Sequence, residues 1–166
     1  KRAPQQASGA PREVSSMTKI LFVCHGNICR SPMAEFLFRH MAEEQGRGSE
    51  FFVASAATSR EEIGNGVHPG TRRVLARYGI DPAGKRAVQL TARDYGKYDL
   101  LLGMDSANVR NMLRILGGDP EGKVCRLLDL TDHPRDIADP WYTGNFDVTR
   151  DDILEGCTAL LARYTG

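Results

Sequence analysis

The sequence predicts an α/β fold, a three-layer sandwich in which helices cover both faces of a four-stranded parallel sheet. Three observations predict it. Short apolar runs rich in branched side chains alternate along the chain with amphipathic helical patterns. Each run is nearly continuous in apolar character, as strands buried on both faces are. The 166 residues contain no internal repeat and suit one domain, long enough to bury roughly 70% of the unfolded surface.

The first strand is "KILFVC", 19–24, and the helix after it is predicted from about Pro32 to Gln45. "EFFVASA", 50–56, forms the second strand, and a helix from about Gly70 to Tyr78 follows. The third strand lies in "YDLLLGM", 98–104, ahead of a helix from about Ala107 to Leu116. "KVCRLLDL", 123–130, reads as the fourth strand and opens into the polar loop "TDHPRDIADPWYTGNFD". The last helix is predicted near Arg150 to Arg163, because Ile153, Leu154, Cys157, Leu160 and Leu161 share one stripe. Thr149 with Asp152 three residues on resembles a short-armed capping box at its start.

Residues 1–16, poor in apolar side chains and rich in Pro, Ser, Gly and Gln, are expected to be a flexible extension or a cloning remnant, with the domain running from 17 to 166. Twenty-two basic against twenty-one acidic residues give a net charge of +1, so no overall field favours nucleic acid or an anionic membrane. With neither a membrane-length apolar run nor a signal-peptide core, a cytoplasmic protein is expected. The four cysteines are unevenly spaced and are read as reduced thiols, Cys125 and Cys157 as core residues.

The chemistry concentrates in "CHGNICRS", 24–31, between the first strand and its helix. In an open parallel sheet, ligands bind beyond the carboxyl ends of the strands. Ser31 is placed to cap the helix and Pro32 to occupy its first turn. Gly26 permits an unusual backbone angle, and Asn27 holds the loop by side-chain bonds to its own backbone. The loop amides and helix N-terminus then converge on a site for phosphate or another oxyanion. No Gly-Lys-Ser/Thr ending is present, so this is not a nucleotide-binding loop. Instead Cys24 stands at its start, where inward amides and a nearby arginine favour the thiolate. Arg30 offers a planar fork to the equatorial oxygens of a phosphoryl group, and Ser31 stabilises the sulfur as it leaves. A leaving group with a pKa of roughly 10 needs an acid, and Asp139 in "ADPWYTGNF" is the candidate, acting afterwards as base toward water. Trp141 and Tyr142 beside it are placed to wall a slot for an aromatic ring. His25, His68 and His133 read as ordinary loop residues, and Cys24 with Cys29 lacks the further ligands that zinc requires.

"VCHGNICRSPMAE" with "DPWYTGNF" resembles the low-molecular-weight protein tyrosine phosphatase family, and "SAATSREEIGNGVHP" and "LLGMDSANVRNML" extend the resemblance over essentially all of 17–166. The resemblance implies strand order 2-1-3-4, Cys24 as nucleophile, Arg30 as phosphate clamp, Asp139 as acid and base, and a reaction without metal or cofactor. It places His25, Gly26, Asn27, Ile28, Cys29 and Ser31 in the phosphate-binding loop, with Asn27 and Ser31 organising it. Cys29 is the family's second loop cysteine, a redox partner that would close a reversible disulfide with Cys24 under peroxide. The implied substrate is a phosphotyrosine protein or peptide. Related protein-arginine phosphatases carry threonine at the position of Ile28, so Ile28 favours phosphotyrosine. Arsenate reductases on the same fold need relay cysteines on a mobile segment, and a catalytically silent phosphate-binding module would need neither Cys24 nor Asp139. The chain departs from the eukaryotic-like members in carrying Glu61 and Glu62 after the second strand, where those members have a Trp. These charges are expected to disfavour acidic residues flanking the phosphotyrosine.

Overall fold

The computed structural model describes residues 17–164, so the expectation for residues 1–16 lies outside the described residues. Strands β1 (Thr18–Cys24), β2 (Phe51–Ala57), β3 (Leu100–Gly103) and β4 (Val124–Arg126) form one sheet in the order β2-β1-β3-β4. Every pairing is parallel, with Ile20 opposite Val53 on one side and Leu100 on the other. The helices are α1 (Arg30–Glu44), α2 (Pro69–Ala76), α3 (Asp94–Lys97), α4 (Ser106–Leu116), α5 (Pro140–Thr143) and α6 (Phe146–Arg163).

β1 sits in the middle of the sheet, and its side chains alternate between two cores. Ile20, Phe22 and Cys24 point to the larger one, with Met33, Leu37 and Phe38 of α1 and Ile153, Cys157, Leu160 and Leu161 of α6. Leu21 and Val23 point to the opposite core, with Leu90, Tyr98, Leu101 and Met112 of α4. A central strand apolar on every residue is therefore the signature of helices on both faces. The close seat of α6 depends on Gly156, where a Cβ would lie 2.4 Å from Leu127 Cγ.

Three local expectations are corrected. The fourth strand ends at Arg126, and Leu127–Leu130 form a 3-10 turn. Leu127 and Leu128 are both fully buried, as consecutive residues of a doubly covered strand or of a turn can be, and Asp129 accepts from the Arg126 amide to close the turn. The last helix begins at Phe146, capped by Asn145 through Val148 N–H, so Thr149 is not its cap. Thr149 instead lies buried within the helix, its hydroxyl 3.3 Å from the carbonyl oxygens of Ala138 and Asn145. The first helix starts at Arg30, so Ser31 lies inside its first turn rather than at the cap, and Pro32 occupies that first turn as expected.

Candidate active site

β1 delivers Cys24 to the carboxyl edge of the sheet, and α1 follows within six residues. The loop between them is pinned on both sides, since Thr58 N–H donates to Cys24 O and Met104 N–H to Val23 O. The sulfur receives Asn27 N–H at 3.3 Å and Ser31 N–H at 3.4 Å, and Ser31 Oγ lies 3.1 Å away. Cys24 thus lies beneath a turn of inward amides at the start of a helix, where negative charge is stabilised.

Asn27, rather than Gly26, takes the left-handed backbone angle, with φ of 59°. Asn is one of the few side-chain-bearing residues that tolerate this region. Its side chain does not bond its own backbone as expected. Its amide donates to Ser31 Oγ at 2.7 Å and to Ser55 Oγ of β2 at 2.9 Å, while Oδ1 accepts from Val88 N–H. These contacts fix the direction of the remaining protons. The Glu35 carboxylate can only accept, so Ser55 donates to it at 2.6 Å and must accept from Asn27. Ser31, accepting from Asn27, is free to direct its own proton onto the Cys24 sulfur. Glu35 is itself buried and held by Arg39 at 2.7 Å, with Lys85 at 3.8 Å. Burial lowers the pKa of Lys85, although the nearby Glu35 carboxylate works against that.

Among the described residues Arg30 is the largest fully buried side chain. Its Nη1 donates to Asp105 at 2.7 Å and to Ile137 O at 2.8 Å, and its Nη2 lies 3.5 Å from Asp139 Oδ2. Burial opposes the guanidinium charge, but the Cys24 sulfur, Asp105 and Asp139 together outweigh it and raise the pKa. Asp105 works twice, capping α4 through Asn108 N–H with one oxygen and orienting Arg30 with the other. Ile137 N–H pairs with Met104 O at the end of β3, which brings the polar loop back across the carboxyl edge and delivers Asp139 to Arg30. Asp139 caps the short α5 by accepting Trp141 N–H at 3.0 Å, and its second oxygen faces Arg30.

Cys24, Arg30 and Asp139 meet in one cleft of about 100 Å³, together with Gly26, Ile28, Cys29 and His25. Trp141 and Tyr142 line the same cleft as exposed aromatic side chains, as do Glu61 and Glu62. Glu61 pairs with His25 at 3.2 Å. Gly26 is conformationally ordinary but sterically constrained, because a Cβ there would lie 3.3 Å from Glu62 Cγ. Ile28 packs with Cys29 and Ala87. Burial first, then the Cys24 and Asp139 charges, push the Cys29 thiol up to about 12. All four cysteines are free thiols. Cys157 lies wholly inside α6 and Cys125 lies in β4, with burial pushing both thiols up, Cys125 to about 11. Neither lines the cleft. Among the described residues no group of three or more His, Cys, Asp or Glu is placed to hold a metal ion, and no helix is long and apolar enough to cross a membrane.

Four residues escaped the sequence reading. Asp105 was detectable as a helix cap, because an Asp followed three residues later by Asn precedes an amphipathic run. Its second bond, to Arg30, spans 75 residues and has no local signal. Glu35 and Ser55 likewise act only through pairings set by the parallel register. His68, expected to be an ordinary loop residue, caps α2 by accepting Gly70 N–H and contacts the rings of Trp141 and Phe146.

Residues 19–165 match the family model for low molecular weight phosphotyrosine protein phosphatase. The chain is 39% identical over 148 residues to the low molecular weight protein-tyrosine-phosphatase YfkJ of Bacillus subtilis, covering 88% of this chain and 95% of YfkJ. Against the crystal structure of YfkJ the TM-score is 0.85, covering 89% of this chain and 94% of that one. It is 34% identical over 146 residues to the low molecular weight protein-tyrosine-phosphatase PtpA of Staphylococcus epidermidis, covering 87% and 92% of the two chains. The crystal structure of SP-PTP, a low molecular weight protein tyrosine phosphatase from Streptococcus pyogenes, gives a TM-score of 0.78 at 36% identity, covering 90% and 95%.

Proposed function

The chain belongs to the low molecular weight phosphotyrosine protein phosphatase family and is a phosphatase of protein phosphotyrosine, and we propose that Cys24, Arg30 and Asp139 carry that reaction. The observation that supports the assignment most is the convergence on the Cys24 sulfur of two backbone amides and the Ser31 hydroxyl, with Arg30 and Asp139 opening into the same cleft. In the first step the sulfur attacks the phosphorus of the bound phosphotyrosine in line with the bond to the phenolic oxygen. Loop amides and the Arg30 guanidinium take up the charge that spreads over the equatorial oxygens. Asp139 gives its proton to the departing phenolate oxygen, leaving a phosphocysteine and a tyrosine product. Asp139, now a carboxylate, draws a proton from water as that water attacks the phosphorus. The Cys24–phosphorus bond breaks, inorganic phosphate forms, and the Ser31 hydroxyl receives the returning charge on sulfur.

Asp105 and the Ile137 carbonyl set the plane of the Arg30 fork from behind, which reduces the reorganisation left for the reaction itself. Trp141 and Tyr142 supply the apolar wall for the ring of the substrate. Ile28 supports phosphotyrosine over phosphoarginine, and the burial of Cys157 and the strand position of Cys125 weigh against an arsenate relay. Four free thiols support a cytoplasmic placement. The test is hydrolysis of phosphotyrosine and phosphoarginine peptides in the presence of a chelator by the parent and Cys24→Ser. Turnover of the phosphotyrosine peptide by the parent and none by the variant supports the nucleophile and the substrate class. Faster phosphoarginine turnover would overturn the reading of Ile28.

A further inference from the structure

His68 ties the start of α2 to two distant parts of the chain, the phosphate loop and the segment from Trp141 to Phe146. Its backbone N–H donates to Ile28 O in the phosphate loop at 2.9 Å. Its Nδ1 accepts from Gly70 N–H at 2.9 Å and so caps α2. One face of the imidazole stacks on Phe146 at the start of α6, with centroids 5.1 Å apart and planes 23° apart. Trp141 of α5 meets the same ring edge-on, at 5.6 Å and 77°. Gly70 makes this stack possible, because a Cβ there would lie 2.4 Å from the Phe146 ring.

Trp141 is 57% exposed on a helix of four residues, so its own element does little to fix the indole. Among the described residues, its ring contact is with His68. We propose that His68 is a positioning residue for substrate selection, its neutral imidazole holding Trp141 in place as the wall against which the aryl ring of phosphotyrosine packs. This rests on the reading of Trp141 as part of the slot.

The capping bond requires a bare lone pair on Nδ1, which places the ring proton on Nε2. Protonation would set an N–H on Nδ1 against the Gly70 N–H. The charges facing the imidazole come from Arg73 on α2, Asp139 at the start of α5 and Glu62 on the loop after β2. Burial and then Arg73 lower the pKa of His68, while Asp139 and Glu62 oppose them, and the net shift is downward. The neutral form that the cap needs therefore prevails at neutral pH.

The experiment compares the parent, His68→Asn and Trp141→Ala. Asn is among the strongest helix caps, so His68→Asn keeps the acceptor for Gly70 and removes the ring. For this variant the KM of a phosphotyrosine peptide should rise about two- to tenfold, the equivalent of one aromatic contact, with kcat within about twofold of the parent. The inhibition constant of inorganic phosphate, which fills the cradle without touching the slot, should not change. Trp141 is the sole tryptophan, so intrinsic emission reads the indole directly. Parent emission should titrate as pH falls through the His68 transition, below the usual imidazole range, and that transition should vanish in His68→Asn. An unchanged peptide KM in His68→Asn, a matching rise in the phosphate inhibition constant, or a parent emission flat across the transition would each overturn the inference. If Trp141→Ala raises the peptide KM while His68→Asn does not, the slot stands and His68 is only a cap. If Trp141→Ala leaves that KM unchanged, the slot reading fails and the inference falls with it.

Discussion

Replacing Asn27 with aspartate changes one NH2 into an oxygen, yet it reverses the hydrogen bonds that reach the nucleophile. The Asn27 amide nitrogen feeds Ser31 and Ser55, and Ser31 can direct its proton to Cys24 because it accepts from Asn27. A carboxylate at this point would accept instead, drawing the Ser31 proton away from the sulfur. Loss of one oriented donor to a developing anion typically costs about 10²- to 10³-fold in kcat, and that is the fall expected for Asn27→Asp. The Ser55 proton would also have to serve either Glu35 or the new carboxylate, leaving one buried oxygen short at a cost of about 1–3 kcal/mol in stability. Aspartate tolerates the left-handed backbone, so strain adds little. Asn27→Ala should show the opposite balance. Its methyl group at φ of 59° costs about 1–2 kcal/mol. Its three lost side-chain bonds cost about 1 kcal/mol each, while Ser31 keeps its proton for the sulfur. The assay is kcat on a phosphotyrosine peptide together with urea unfolding of both variants. A folded Asn27→Asp enzyme within about threefold of the parent kcat would refute the argument that hydrogen-bond direction, rather than shape, sustains the donor on sulfur.

Asp139→Asn keeps the cap on α5, since Asn serves there as well as Asp, so its effect should be chemical. Its kcat should fall about 10²- to 10⁴-fold for a phosphotyrosine peptide and less for an aryl phosphate with an acidic phenol, and equal slowing of both would remove Asp139 as the acid. If Cys29 is the redox partner of Cys24, peroxide converts Cys24 to a sulfenic acid, the Cys29 thiol displaces water from it, and added thiol reverses the resulting disulfide. Cys29→Ser should therefore recover less activity than the parent after peroxide and thiol treatment, and equal recovery would leave Cys29 without this role. Glu61 and Glu62 at the mouth should make kcat/KM lower for phosphotyrosine peptides with acidic flanks than for those with basic ones, and equal values would show that neither charge reaches the peptide.

The readable parts of the chain were those whose physics is local. β1 shows as an unbroken apolar run because both of its faces are buried, and α6 shows as a stripe because only one side of it is. The phosphate loop was legible because Cys24 and Arg30 stand six residues apart and form one structural unit. Element starts are less legible, since the apolar stripe begins at Ile153, about two turns after the helix itself starts at Phe146. The fourth strand was overextended because consecutive buried leucines look alike in a strand and in a 3-10 turn. What supports the site from behind had no local signature. Asp105 meets Arg30, Ser55 meets Asn27 with Glu35 behind it, and His68 meets Trp141, all through segments that only the folded chain brings to one edge.

The most direct test of the central assignment is to mix the enzyme with a phosphotyrosine peptide, quench in acid within a single turnover, and locate the phosphoryl group by mass spectrometry of its fragments. The account predicts one phosphoryl adduct, on Cys24, absent from Cys24→Ser. Turnover without an adduct, or an adduct on any other residue, would contradict it.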